Sequence, residues 1–230
     1  MVSPLKRLIH DRLVGMLTYL KVLKFNWKEE SAVRKELYSQ NPRFEGHDRA
    51  LKRRFRYLNP YSLCRKYLQQ KGEGNIHAYG ETPLTLLEAI VKRFYIKKED
   101  SVVEMGAGRG RGALFLSSFV GARVKAIEQH PLFCKILQEM QIDGLEVIEG
   151  DMLEMDLAGA SVIYLYGTML LDSQIRALIS EFKKMSQTLK IITVSYPLRQ
   201  YDSDFEIVDQ FEGEFPWGVT TIFLNRRSSE

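Results

Sequence analysis

The chain has 230 residues, 45% hydrophobic and 27% charged, with a formal net charge of +4. This bounds it to one large domain, or a domain with a substantial extension, and excludes disordered and fibrous classes. Cys64 and Cys134 lie far apart with no ligand motif around them, and no cleavable signal pattern is visible. That argues against a disulfide framework or a metal site and suits a reducing, cytoplasmic setting.

Charge is unevenly spread. Residues 1–71 hold 17 Lys/Arg and 6 Asp/Glu, a net of +11, and the rest holds 16 and 23, a net of −7. The asymmetry marks a boundary near Lys71–Asn75 and divides a basic helical extension, residues 1–74, from residues 75–230. It implies an anionic partner for the extension, whether RNA, an acidic protein or a membrane surface. Leu5–Phe25 is the first helix, with Leu5, Leu8, Ile9, Val14, Leu17, Leu20, Val22 and Leu23 at helical spacing. Its uninterrupted apolar length is too short to span a bilayer. It fits a helix packed on its own domain or one lying on a lipid surface. Glu30–Tyr38 and His47–Tyr57 are two further helices. Arg49, Lys52, Arg53, Arg54 and Arg56, with Phe55 and Tyr57 between them, suit either phosphate contacts or a solvated face. Asn59-Pro60 opens a helix through Gln70.

Ala78-Tyr79-Gly80-Glu81-Thr82-Pro83 comes next. Thr82 reads as an N-cap and Pro83 as the first residue of a helix to Phe94. Ser101–Met105 is a short buried strand. Gly106, Gly108 and Gly110 follow on alternate positions, then an apolar helix, Gly112–Phe119. A strand, a glycine turn and a helix N-terminus make a cradle where a ligand meets free backbone N–H groups. Ala122–Ile127 and Leu145–Ile148 are further strands, ending at Glu128 and at Glu149-Gly150-Asp151. With Glu104, three acids then stand at the ends of three strands, along one carboxyl edge of a parallel sheet. Helix Pro131–Gln141 connects the second and third strands. Ser161–Tyr166 is the fourth strand, followed by Gly167-Thr168-Met169 and a helix Ser173–Met185 capped by Asp172. Lys190–Ser195 is the fifth. Phe205–Glu212 and Val219–Asn225 read as an antiparallel pair. His10, His47, His77 and His130 have no motif around them, so no general base is visible.

Glu104, Gly106, Gly108 and Gly110 in the pattern E/D-x-G-x-G-x-G, with Glu128 and Gly150-Asp151, resemble the class I S-adenosylmethionine-dependent methyltransferases over roughly residues 79–226. A nicotinamide dinucleotide site is the competing reading. From Gly106 its G-x-G-x-x-G pattern fails at Arg111. From Gly108 it is met only as G-x-G-x-x-A, and the strand must then run through Gly106. The resemblance implies an α/β, Rossmann-like seven-stranded mixed sheet with an α-helical N-terminal extension. It also implies S-adenosylmethionine held by Tyr79, Thr82, Glu104, Gly106, Ala107, Gly108, Gly110, Glu128, Gln129, Asp151 and Met152. Tyr79-Gly-Glu-Thr82 is similar to the loop that non-SET protein-lysine methyltransferases place over the cofactor. The segments after the fourth and fifth strands look like those of the ATP-synthase c-subunit lysine methyltransferases. Asn-Pro-Pro-Tyr, frequent in enzymes that methylate base amines, is replaced by Tyr164-Leu-Tyr-Gly-Thr-Met. These likenesses imply a protein lysine acceptor in a narrow channel walled by Tyr79, Tyr164 and Tyr166. RNA or a small molecule is the alternative acceptor, and a non-catalytic binding module is the third reading.

Overall fold

The computed structural model describes residues 4–228, with side chains from residue 14 onward. The early part of the apolar stripe (Leu5, Leu8, Ile9) and His10 therefore lie outside the described side chains. Seven strands form one sheet: β1 (Ser101–Met105), β2 (Arg123–Glu128), β3 (Leu145–Glu149), β4 (Val162–Leu165), β5 (Lys190–Val194), β6 (Phe205–Phe215) and β7 (Gly218–Arg227), in the order β3-β2-β1-β4-β5-β7-β6. The first five are parallel, and β7 inserts antiparallel between β5 and β6. Central strands are apolar on both faces, as a sheet covered on both sides demands, and every residue of β4 is buried. Met105 aligns with Ile127 on one side and Leu165 on the other. The chain order reverses about β1, so the segments leaving β1, β2, β3 and β4 open onto one crevice at the carboxyl edge.

The helices are α1 (Pro4–Ala32), α2 (Pro42–Arg54), α3 (Pro60–Lys71), α4 (Leu84–Arg93), α5 (Arg111–Phe115), α6 (Pro131–Gln138) and α7 (Asp172–Phe182). The expected first two helices are one rod, since α1 runs on into a π-helical turn, Val33–Tyr38. Asn41 and Asn59 set the starts of α2 and α3. Each side-chain oxygen accepts a backbone N–H three residues on, from Phe44 (2.9 Å) and Ser62 (3.2 Å), with proline at the first helical position. Two expected caps differ. Helix α4 starts one residue later, at Leu84, because the Thr82 hydroxyl bonds the Tyr164 hydroxyl instead of a backbone N–H. Asp172 is already helical, and Leu171 precedes it, its N–H donating to Gln174 (2.9 Å).

The basic extension is fastened to the sheet layer. Val33, Leu37, Phe44, Leu51 and Phe55 belong to the same apolar cluster as Leu87, Phe115 and Val124. Phe44 stands edge-on to Phe115 (5.5 Å) and Phe119 (5.6 Å). Burying such a ring contributes about 1.5–3 kcal/mol. Beside it, Asp48 is fully buried and holds Arg111 by two bonds of 2.9 and 3.0 Å, and Glu30 approaches Arg111 at 3.0 Å. Several cations of the basic run are likewise used internally. Arg49 pairs with Glu45, Lys52 with Glu30 and Asp48, and Arg54 with Glu139, leaving Arg53 and Arg56 exposed. Among the described residues no helix is long and apolar enough to cross a membrane.

Candidate active site

The crevice has two connected compartments. The larger, of about 500 Å³, runs along the glycine turn and is lined by Gly106, Gly108, Glu128, Gln129, Asp151 and Met152. Gly106, Gly108 and Gly110 all have positive φ (76°, 59° and 84°), the conformation glycine adopts without strain. They serve different neighbours. A Cβ on Gly108 would lie 3.0 Å from the Tyr79 ring, which covers the turn. A Cβ on Gly110 would collide with Leu137, so Gly110 serves packing and lies off the crevice lining, as does Ala107.

The three acids differ in environment. Both Glu128 oxygens take backbone N–H bonds, from Gly108 (2.7 Å) and His130 (2.8 Å), so this carboxylate ties β2 to the glycine turn. Each oxygen keeps a further lone pair for a ligand hydroxyl. Burial raises its pKa while the N–H bonds pull it back. Asp151 is exposed and accepts the Leu153 N–H (2.9 Å). Glu104 is buried behind the turn, 7% exposed, with Oε2 unpartnered among the described residues. Burial pushes its pKa up to about 8, against a backbone N–H bond from Ala113.

The second compartment, of about 480 Å³, adjoins the first at Ala78–Gly80, Tyr166, Thr168 and Met169. Tyr61, His77, Glu81, Ser195 and Trp217 complete much of its wall. Tyr79 donates to Glu81, which also forms an ion pair with Arg109 of the glycine turn (2.6 Å). Burial, with the Glu81 charge second, holds the Tyr79 phenol well above its usual pKa. The Tyr166 hydroxyl accepts the Trp217 indole N–H (3.1 Å).

These positions correct two expectations. Tyr164 is not a channel wall: it points into the core, 2% exposed, and its hydroxyl meets Thr82, so neither reaches either compartment lining. The expected tyrosine wall is therefore made by Tyr79 and Tyr166, joined by Tyr61 and Trp217. Tyr79 and Tyr166 do meet where the compartments join. His130 is buried between Tyr67 and Phe133 with its pKa lowered by burial, a packing role. Sequence reasoning missed the contribution of α3. The Tyr67 hydroxyl donates to the Gln129 carbonyl (2.7 Å), and Cys64 and Leu68 line the first compartment. It also gave no role to Ser195; Trp217, which the sequence leaves open between packing and a substrate rim, lines the second compartment. The positive φ of Ser195 (77°) has no sequence signal, because serine rarely adopts it.

Comparisons with known proteins fit this arrangement. The family model described as ribosomal RNA adenine dimethylase matches residues 82–192, β1 through most of β5. An RNA methyltransferase from Salinibacter ruber, crystallised with S-adenosyl-L-homocysteine, superposes with a TM-score of 0.55 at 21% identity, over 66% of this chain and 96% of that one. The chain has the class I methyltransferase fold. TrmN from Thermus thermophilus shares the fold with a TM-score of 0.58 at 13% identity, over 65% of this chain and 50% of that one. In sequence, ribosomal RNA small subunit methyltransferase A of Myxococcus xanthus is 35% identical over 72 residues, 31% of this chain. That match spans a quarter of the length of the curated relative. The family match lies on strands β1 to β5, and none of these comparisons names a protein-lysine acceptor.

Proposed function

We propose that this chain is an S-adenosylmethionine-dependent methyltransferase whose acceptor is RNA. One observation carries the reading: the segment that matches the ribosomal RNA adenine dimethylase family, residues 82–192, supplies the glycine turn and the acids Glu128 and Asp151 of a single crevice, with Glu104 buried behind its lining. In this reading Glu128 holds the ribose hydroxyls and Asp151 accepts from the adenine amino group. Gly106 and Gly108 let the cofactor lie against the backbone, with Tyr79 as its cover. Thr82, Ala107 and Gly110 support this cradle from behind. Glu104, buried with Oε2 unpartnered among the described residues, waits for the cationic amino-acid end of the cofactor, directly or through water.

The chemistry is displacement at a sulfonium methyl group. The protein's task is to align nucleophile, carbon and sulfur, and to exclude water. Tyr79 and Tyr166 stand at the junction of the compartments, where methyl group and acceptor meet. The lysine reading rested on a channel walled by Tyr79, Tyr164 and Tyr166, of which Tyr164 is in the core; the family match and the curated relative name ribosomal RNA, while among the solved structures a mitomycin 7-O-methyltransferase names a small molecule. The exposed Arg53 and Arg56, with Lys21 and Lys24 on α1, provide cations for an RNA backbone outside the chamber.

The test is incubation with tritiated-methyl S-adenosylmethionine and separated RNA and protein fractions of a lysate. Label in nuclease-sensitive material is the expected result. Label confined to protein lysines would restore the lysine reading, and label in neither fraction would remove the activity.

A further inference from the structure

The second compartment is unusual in how its tryptophan is held. Trp217 sits on the two-residue turn between β6 and β7, and Phe215 pairs with Gly218 to close that turn. Its ring stacks on Phe215, with centroids 5.0 Å apart and planes inclined by 20°. Its indole N–H is bonded to Tyr166 at 3.1 Å. Yet Trp217 remains 55% exposed. A large apolar ring fixed at its face and its polar edge, but left open to the chamber, is a preorganised surface rather than a core side chain. Tyr61 and Tyr79, packed edge to face at 4.9 Å, also line the chamber.

The charges of the chamber point the same way. Among the described residues no Lys or Arg lines it, so none of them inside awaits a phosphate. Its one carboxylate, Glu81, is already neutralised by Arg109 at 2.6 Å, so nothing inside draws an ammonium group either. What remains, beside the His77 imidazole, is flat apolar surface with a few neutral polar groups. Among them is Ser195, whose strained backbone (φ 77°) and 2.9 Å hydroxyl contact with Thr220 fix it at the wall. Strain of this kind persists where the surrounding structure enforces it, and it clusters at ligand sites.

We propose that this chamber takes one nucleobase of the acceptor, turned out of its strand and stacked on Trp217, with Tyr166 holding the indole in place and Ser195 and Thr168 facing the edge of the base. The inference rests on the RNA methyltransferase reading and deepens it. Trp217 is a binding residue and Tyr166 positions it. A base extruded from its strand needs this combination: a stacking face, edge contacts, and its phosphates left outside.

The experiment uses the full chain carrying Trp27→Phe, a substitution at an exposed position that leaves Trp217 as the single tryptophan. S-adenosylhomocysteine binding is first measured by calorimetry. The loaded protein is then titrated with adenosine, guanosine, cytidine and uridine, and separately with N-acetyl-lysine methylamide, while indole fluorescence is read. Saturable quenching by at least one nucleoside, with none by the lysine amide, is the expected result. In equilibrium dialysis, Trp217→Ala should weaken binding of that nucleoside about tenfold or more, and Trp217→Phe by much less. Both variants should bind S-adenosylhomocysteine unchanged. Normal S-adenosylhomocysteine binding with no nucleoside quenching, or quenching by the lysine amide alone, overturns the base chamber and leaves the fold's cofactor site standing. Failure to bind S-adenosylhomocysteine overturns the methyltransferase reading and this inference with it.

Discussion

Asp48→Asn tests how the N-terminal helices are tied to the cofactor turn. The Asp48 carboxylate is fully buried and receives Arg111 Nε at 2.9 Å, Arg111 Nη2 at 3.0 Å, the Tyr38 hydroxyl at 2.6 Å and Lys52 Nζ at 3.0 Å. Asparagine has nearly the same shape, but it is neutral and turns one acceptor into a donor facing other donors. Breaking a buried pair by removing one charge costs about 3–5 kcal/mol. Glu30, 3.0 Å from Arg111 and 2.5 Å from Lys52, compensates part of the stranded charge, which places the expected loss near the lower end, about 3 kcal/mol. Against a typical domain stability of about 5–15 kcal/mol this is a large fraction. Urea unfolding followed by circular dichroism measures it. Because Arg111 directly follows Gly110, affinity for S-adenosylhomocysteine should fall as well. Adding Arg111→Met should recover part of the lost stability, since the stranded cation is then gone. A loss below about 1 kcal/mol in the single variant would refute the coupling and make the extension separable from the sheet.

Three further outcomes follow from the site. Gly112→Ala places a Cβ inside contact distance of Glu104 Oε1 and should destabilise by about 1–3 kcal/mol, with partial rescue by Glu104→Ala; equal melting temperatures for the wild type and Gly112→Ala would contradict it. Glu104 has a folded-state pKa raised from 4.5 to about 8, so its stabilising share is whole below pH 4.5 and is lost as pH rises towards 8. Unfolding free energy should therefore decline across that window in the wild type and decline less in Glu104→Gln, and identical slopes would dismiss the assignment. Glu128→Gln keeps one acceptor oxygen for a backbone N–H and loses the charge. It should weaken S-adenosylhomocysteine binding roughly tenfold or more at a stability cost of about 1–2 kcal/mol, read by calorimetry and urea melts; unchanged affinity would remove Glu128 from the ribose role.

Local pattern determined much of this protein. Five apolar runs, each followed by a turn or an acid, sufficed for the parallel strands, because buried parallel strands are written as continuous apolar segments. The spacing of Gly106, Gly108 and Gly110 after Glu104 marked the cradle, since positive φ at three alternate positions leaves few residue choices. Tertiary structure decided what depends on partners distant in sequence. Tyr164 and Tyr166 look alike in the chain, but β4 ends at Leu165, so Tyr164 stays inside the sheet with its hydroxyl on Thr82 in the core, while Tyr166 has left the strand and meets Trp217 in the chamber. The run of basic residues in α2 read as one patch, yet Lys52 and Arg54 meet Glu30 and Glu139, 22 and 85 positions away. Sequence spacing carries periodicity within an element. It carries no record of which surface a side chain meets once helices and sheet close on one core, and that closure made one chamber out of Tyr61, Tyr166, Ser195 and Trp217.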